Sequence, residues 1–237
     1  MGSSRTDGPG SSGSGEDRPG RNLWLDIPLA DYEAHMELPT VGQARLLADL
    51  FGEALERHAP SSVALLGCAG GNGLERVRGT AVRRVECVDI NPRFVEETRA
   101  RFSGRVDILG LHAGDLERDA FSFEPVDLAF AGLLFEYVDP FRLLSRLRGM
   151  IQPGGVLTAV LQVAGAAEGE ITPSPYASLA PLAAVLRPVP PEEMAGMAAE
   201  AGFLLEEMRL AVASGGKRFC AMSFRNEAAD LSGGTRA

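Results

Sequence analysis

The chain has 237 residues, of which 45% are hydrophobic and 23% charged, and its formal net charge is −9. This length and composition are typical of one globular domain with short appendages. The acidic balance argues against nucleic acid or an anionic membrane as a partner, and no run of 18 apolar residues predicts a transmembrane helix.

Both ends of the chain lack the apolar residues of a folded segment. Residues 1–22 are rich in Gly and Ser and predict an unstructured tail or an expression tag, and residues 226–237 predict a second tail. Between them we expect an N-terminal helical segment over 23–60 and one main domain over 61–225.

The cysteines and the charged residues give a first idea of the environment. Cys68, Cys87 and Cys220 do not have the spacing of zinc ligands, so we expect no metal site. No apolar core of a secretory signal is visible near the N-terminus. Arginine far outnumbers lysine, of which Lys217 is the sole example, and this suggests a GC-rich bacterial gene. We therefore expect a cytoplasmic bacterial protein.

Helices and strands alternate along the main domain. Helical spacing of apolar residues predicts one helix within 31–58, and shorter apolar runs predict buried strands. The predicted strands are 62–66, 84–88, 106–111, 126–131 and 156–163, with helices at 92–102 and 139–150 and a turn at 153–155. A Pro- and Ala-rich insertion follows at 165–191, with a short helix at 176–186. The last predicted elements are a helix at 192–201 and strands at 203–213 and 218–224.

This alternation predicts an α/β fold with a mostly parallel sheet and helices on both faces. The final two strands flank the turn at 214–217 and predict an antiparallel C-terminal hairpin. The sheet would then have seven strands.

A glycine-rich loop follows the first strand and is the strongest functional signal. Gly67–Gly73 contains four glycines in seven residues, and a helix is expected to start at 74–76. Loops at the carboxyl ends of parallel strands bind ligands in open α/β sheets. The loop lacks the Gly-Lys-Ser/Thr ending of a phosphate-binding P-loop, and Ala69 and Arg76 break the dinucleotide fingerprint G-x-G-x-x-G.

Five segments in order resemble the motifs of class I S-adenosylmethionine-dependent methyltransferases. They are the Gly67–Gly73 loop, Val85–Pro92 with Asp89 after the second strand, Ala113–Leu116 after the third, 127–138 around the fourth, and the Pro153–Gly155 turn before the fifth. The resemblance implies a Rossmann-like domain that binds S-adenosylmethionine. It implies cofactor contacts at Gly67, Cys68, Ala69, Gly70, Gly73, Asp89, Ile90, Asp115, Leu116 and Ala131.

The roles of individual residues follow from the same resemblance. Asp89 would accept hydrogen bonds from the ribose hydroxyls, and Asp115 would accept one from the adenine amine. The segment 23–60 would lie over the cofactor as a lid. Tyr32 and His35 in that lid, with Tyr137 after the fourth strand, become candidate catalytic residues, and His35 is the candidate base.

The expected reaction is in-line methyl transfer to an oxygen or nitrogen of a small-molecule acceptor. A non-catalytic cofactor-binding or regulatory protein remains an alternative, as do an aminopropyl transferase and a nicotinamide oxidoreductase. The segment at 131–134 lacks the Asn/Asp-Pro-Pro-aromatic motif of enzymes that methylate DNA bases or glutamine. The sequence leaves the acceptor and the oligomeric state open.

Overall fold

A computed structural model describes residues 22–163 and 175–227 of the chain. The α-helices are α1 (Leu29–Glu37), α2 (Gln43–His58), α3 (Pro92–Phe102), α4 (Pro140–Met150) and α5 (Pro191–Glu200). The strands are β1 (Ser62–Leu66), β2 (Arg84–Asp89), β3 (Ile108–Ala113), β4 (Val126–Gly132), β5 (Ile151–Gln162), β6 (Phe203–Val212) and β7 (Arg218–Asn226). Short 3-10 helices form at Leu23–Asp26, Leu74–Val77, Phe135–Tyr137 and Ala177–Ala184.

The seven strands form one sheet in the order β3-β2-β1-β4-β5-β7-β6. Strands β1 to β5 are parallel, whereas β7 runs antiparallel to both β5 and β6. The strand order reverses between β1 and β4, and open α/β sheets bind ligands at such a switch point. The predicted mostly parallel, Rossmann-like sheet with an antiparallel C-terminal hairpin is confirmed.

Helices cover both faces of the sheet, as predicted. Helix α2 packs its apolar stripe, including Phe51 and Leu55, against β1 and β4 on one face. Helices α4 and α5 bury Leu143, Leu147 and Met194 on the other face. Burial on both faces explains why β1 and β4 read as near-continuous apolar runs in the sequence.

The N-terminal segment contains two helices, and the prediction of one helix over 31–58 was wrong. Helix α1 ends at Glu37, before Pro39, and α2 starts after Gly42. Gly42 has φ +62°, a left-handed conformation that glycine adopts without strain. A Cβ atom at residue 42 would also collide with Ser214. The break redirects the chain, so that α1 lies at the carboxyl edge of the sheet.

Two turn predictions also require correction. The helix expected from 74–76 is limited to the 3-10 helix Leu74–Val77. The turn expected at 153–155 belongs to β5, whose pairing with β4 shifts between Ile151 and Val156. The extra residues form a bulge that bends the strand. Gly154 within it has φ +80°, a left-handed conformation.

The limits of several elements also differ from the prediction. Strand β3 lies two residues further along the chain than expected, and the short helix expected at 176–186 is 3-10 in type. Asn226, which the sequence analysis placed in a tail, ends β7 and is 3% exposed. Residues 1–21, 164–174 and 228–237, which hold most of both tails and part of the insertion, lie outside the described residues. Within the described ranges, no helix is both long and apolar enough to span a membrane.

Candidate active site

Three cavities meet at the carboxyl edge of the parallel strands. We name them by one lining residue each: the Asp89 cavity, also lined by Ile90 and Asp115; the Gly70 cavity, along the glycine-rich loop; and the Glu136 cavity, beside His35. The side chain of Tyr32 lines all three cavities. Ligands in neighbouring cavities would therefore share this one side chain as a wall.

The Asp89 cavity brings together residues from the ends of four strands, namely β1, β2, β3 and β4. Six predicted cofactor contacts line it, namely Gly67, Ala69, Asp89, Ile90, Asp115 and Leu116. They follow β1, β2 and β3 in the chain but adjoin in space, because the carboxyl ends of parallel strands meet at one edge of the sheet.

Asp89 is 7% exposed and fixes the glycine-rich loop to the end of β2. Its Oδ2 accepts a hydrogen bond from the amide of Ala69 at 2.9 Å, and its Oδ1 accepts one from the amide of Asn91 at 2.9 Å. Burial raises the pKa of Asp89 to about 6, and these amides act in the opposite direction. Each carboxylate oxygen keeps a second lone pair, which can accept a hydrogen bond from a hydroxyl group of a ligand.

The glycine-rich loop needs its glycines for different reasons. Gly67 has φ +67°, and a Cβ atom there would crowd Leu134. Gly70 and Cys68 line the Gly70 cavity. Gly73 lines none of the three cavities among the described residues; its φ is +89° and it packs against Phe51 and Ala48 of α2. Gly73 therefore packs against α2, and its contact with the cofactor stays a prediction.

The Cys68 side chain is buried in the core, where its Sγ lies 4.0 Å from Thr98 Oγ1. Hydrogen bonding to Cys87 and burial raise the pKa of the Cys68 thiol. The thiol therefore stays protonated, and only the residue's small size and its backbone serve the loop.

Ala131 lies apart from the other predicted cofactor contacts. It is fully buried beneath the sheet, in the cluster that includes Leu143 and Leu147, and lines none of the three cavities among the described residues. Its neighbour Gly132 lines the Asp89 and Gly70 cavities. Successive residues of a strand lie towards opposite faces of the sheet, so Gly132 faces the cavities and Ala131 does not. The cofactor contact of Ala131 stays a prediction.

The N-terminal segment lies over these cavities. Trp24 lines the Asp89 and Glu136 cavities, and its carbonyl oxygen accepts a hydrogen bond from Asn91 Nδ2 at 2.9 Å. The Trp24 ring meets the rings of Tyr32 and Tyr137 edge to face, with centroid distances of 5.5 and 5.0 Å. These contacts connect the N-terminal segment to the residues that follow β4.

Glu33 of α1 forms a bidentate ion pair with Arg101 of α3, with a distance of 3.0 Å between Oε2 and Nη2. Arg101 Nη1 also donates to the carbonyl oxygen of Gly70 at 3.3 Å. The pair therefore ties α1 to the glycine-rich loop.

All three candidate catalytic residues line the Glu136 cavity. His35 is 6% exposed, and its Nδ1 has no hydrogen-bond partner within 22–163 and 175–227. Burial, with a smaller contribution from Lys217, lowers the pKa of His35, so the imidazole is neutral near pH 7. Burial raises the pKa values of Tyr32 and Tyr137, so both phenols stay protonated.

The sequence analysis missed Glu136, which is 1% exposed. Its Oε1 accepts a hydrogen bond from the amide of Gln162 at 2.7 Å, whereas its Oε2 has no partner in the described part of the chain. Burial raises the pKa of Glu136 to about 7. The available signal was a carboxylate within the apolar run 133–138, where a charge costs free energy unless it has a purpose.

Comparisons with known proteins identify a matching family and a shared fold. Residues 65–159 match the family described as "Methyltransferase domain". A search of curated proteins found no match. The fold resembles N-methyltransferase NodS from Bradyrhizobium japonicum, with TM-score 0.57 and 18% identity over 81% of this chain and 99% of that chain.

Two further solved structures show the same fold. Geranyl diphosphate C-methyltransferase from Streptomyces coelicolor, solved with S-adenosyl-L-homocysteine, has TM-score 0.57 and 15% identity over 74% of this chain and 76% of that chain. The [4+2]-cyclase SpnF has TM-score 0.62 and 16% identity over 79% and 82% of the two chains. No group of three or more residues suited to hold a metal ion occurs within the described ranges.

Proposed function

We propose that the chain is a class I S-adenosylmethionine-dependent methyltransferase that methylates an oxygen or nitrogen atom of a small-molecule acceptor. The match of residues 65–159 to the methyltransferase-domain family supports this proposal. The observation that carries this proposal is the position of the Glu136 cavity. It shares Trp24, Tyr32, Leu133 and Tyr137 with the Asp89 cavity, so that an acceptor can lie directly beside a bound cofactor.

The residues of the Asp89 cavity suit the cofactor. The buried Asp89 carboxylate has lone pairs for the two ribose hydroxyls, and Asp115 can accept a hydrogen bond from the adenine amine. The adjoining Gly70 cavity lets a ligand approach the backbone of Gly67 and Gly70, and we assign it to the methionine portion. When bound, the cofactor supplies a methyl group on a cationic sulfur, which is already activated for transfer.

The protein's own contribution is positioning. Trp24 and Tyr32 from the N-terminal segment and Tyr137 after β4 enclose the junction of the two cavities. These side chains would hold the acceptor in line with the methyl group, and positioning of this kind accounts for much of the rate in such a displacement. His35, as a neutral imidazole facing the Glu136 cavity, is placed to accept a proton from the acceptor.

Similar folds carry different reactions, so the acceptor must be inferred from this chain's own residues. The solved neighbours are named as an N-methyltransferase, a C-methyltransferase and a [4+2]-cyclase. The polar groups of the Glu136 cavity favour an acceptor with an O–H or N–H group. The net charge of −9 supports a small molecule over nucleic acid as the partner, and we retain the expected cytoplasmic location.

Calorimetric titration with S-adenosylhomocysteine tests the cofactor assignment. We expect micromolar binding to the wild type and at least a tenfold loss in Asp89→Ala. Asp107→Ala is the control, since its carboxylate is 63% exposed and pairs with Arg83 on the surface. Absence of wild-type binding would contradict the proposal, and unchanged binding by Asp89→Ala would show that the ribose contact is misplaced. Binding without turnover over an acceptor panel would favour the non-catalytic alternative.

A further inference from the structure

Two buried polar atoms without partners line the same cavity. Glu136 Oε2 and His35 Nδ1 have no hydrogen-bond partner among the described residues, although both side chains are more than nine-tenths buried. A buried polar atom left unpaired costs about 1–3 kcal/mol, and folded proteins rarely tolerate it without a reason. A ligand that donates hydrogen bonds to both atoms would provide that reason.

The structural role of Glu136 accounts for only one of its oxygens. Oε1 accepts the amide of Gln162 at the end of β5, and the Glu136 carbonyl accepts the amide of Arg187. A glutamine would make both contacts equally well. The fold itself therefore requires neither the charge of Glu136 nor its second oxygen.

Apart from Gln43, Gln162 and Lys217, the remaining walls of the cavity are apolar or aromatic. Leu133, Leu179, Leu182, Leu186 and Met36 form the apolar part, and Trp24, Tyr32 and Tyr137 supply aromatic rings. The other charged group is Lys217, whose Nζ donates to Gln162 Oε1 at 3.3 Å. The site thus combines an enclosed apolar surface, aromatic rings and a carboxylate.

We propose that the Glu136 cavity binds a primary or secondary amine with an apolar body, whose N–H groups donate to Glu136 Oε2 and His35 Nδ1. This inference rests on the proposed function and specifies its acceptor. With the His35 proton on Nε2, both atoms are acceptors. An alcohol, which has one O–H, then satisfies one of them, whereas an ammonium group satisfies both. A carboxylate beside aromatic rings also favours a cation over a neutral group.

The same contact supplies a second proton acceptor beside His35. An ammonium nitrogen must lose a proton before its lone pair can react. Glu136 Oε2 would accept a hydrogen bond from that nitrogen, so it is placed to take the proton. The lone pair then forms a bond to the methyl carbon while the carbon–sulfur bond breaks and its electron pair stays on sulfur. A pKa near 7 keeps Glu136 partly ionised at neutral pH, so that it can hold the cation and take the proton.

Binding of matched amines and alcohols tests the proposal without knowledge of the natural acceptor. The full chain, saturated with S-adenosylhomocysteine at pH 8, is titrated with propylamine, benzylamine and phenethylamine and with the three corresponding alcohols. We expect at least one amine to bind ten times more tightly than its alcohol. Glu136→Gln, which keeps the size of the side chain and the contact to Gln162, should abolish this preference without weakening S-adenosylhomocysteine binding.

Glu53→Gln is the matched control, since Glu53 is exposed on α2 and pairs with Arg209 away from the site. Equal affinity for amines and alcohols, no wild-type binding of any amine, or an unchanged preference in Glu136→Gln would overturn the inference. A wild type that fails to bind S-adenosylhomocysteine would instead overturn the proposed function. The two failures are therefore distinguishable.

Discussion

Buried ionisable side chains concentrate at the carboxyl edge of this sheet. Burial raises the pKa values of Asp89 and Glu136 to about 6 and about 7 and lowers that of His35, in each case towards the neutral form. Such groups cluster at functional sites because chemistry near pH 7 needs them. Asp89 binds the glycine-rich loop, whereas Glu136 and His35 face the adjoining cavity. Each half of the site therefore has its own titratable side chains.

Replacing Glu136 with glutamine should change how stability depends on pH. The folded pKa lies above the ordinary value of 4.5, so the wild type loses stability relative to Glu136→Gln as pH rises from about 4.5 to 7. A shift of this size corresponds to about 3 kcal/mol. Urea denaturation of the ligand-free proteins at pH 4.5 and 8 measures the difference, and a difference that does not change with pH would contradict this prediction.

Replacing His35 with alanine should lower turnover at least tenfold while leaving the affinity for S-adenosylhomocysteine unchanged. The imidazole lines the Glu136 cavity and no part of the Asp89 cavity among the described residues. Single-turnover rates with the first acceptor found, together with calorimetry, make the comparison. His58→Ala at the end of α2 is the control, and wild-type turnover in His35→Ala would exclude the role as a base.

At the scale of elements, α1 and the preceding 3-10 helix close the site from above. Glu33 ties α1 to α3 through Arg101, Asn91 holds the carbonyl of Trp24, and Ser178 donates to Asp31 at 2.6 Å. These contacts are polar and partly exposed, so each contributes little free energy. The same segment also packs apolar side chains into the protein, since Ile27 and Met36 are only 3% and 5% exposed.

Breaking the ion pair between Glu33 and Arg101 should loosen α1 selectively. In Glu33→Gln we expect amide hydrogen exchange over Leu29–Glu37 to rise about fivefold, which corresponds to about 1 kcal/mol of local stability. Exchange in β1 and β4 should not change. Glu96→Gln, which breaks the exposed pair with Arg99 on α3, is the control. Equal exchange in all three proteins would show that the pair does not hold the lid.

The sequence predicts the sheet and the cofactor half of the site because both depend on local patterns. The apolar runs in β1 and β4 are nearly continuous, Asp89 ends β2, and Asp115 lies two residues after β3. The break between α1 and α2 was not predicted, because helical spacing of apolar residues continues after it. Pro39 and Gly42 mark the break in the sequence. Glu136 could not be assigned a role, since that role depends on contacts with Gln162 and α1 that arise only in three dimensions.

At the scale of the whole molecule, the C-terminal strand completes the sheet between β5 and β6. Asn226 at its end donates from Nδ2 to the carbonyl oxygens of Ile151 at 2.7 Å and of Arg148 and Gln152 at 3.2 Å. These carbonyls lie where α4 passes into the bulged start of β5. One buried amide therefore joins the end of the domain to the middle of its sequence.

Replacing Asn226 with alanine should remove about 2 kcal/mol from the free energy of unfolding, because it leaves buried carbonyls without donors. Denaturation in urea at pH 7 measures the loss, and the affinity for S-adenosylhomocysteine should not change. Glu227→Ala, one residue further on and exposed, should leave stability unchanged. Equal stability of the two variants would contradict the structural role assigned to Asn226.

Tyr32 lines all three cavities, and this has a consequence for the timing of turnover. An acceptor in the Glu136 cavity would contact the same side chain that lines the Asp89 cavity, so we expect a bound acceptor to hinder exchange of the nucleoside. The methyl donor then has to bind first, and its demethylated product has to dissociate last. Steady-state kinetics should show a compulsory binding order, with the demethylated nucleoside inhibiting competitively against the donor alone.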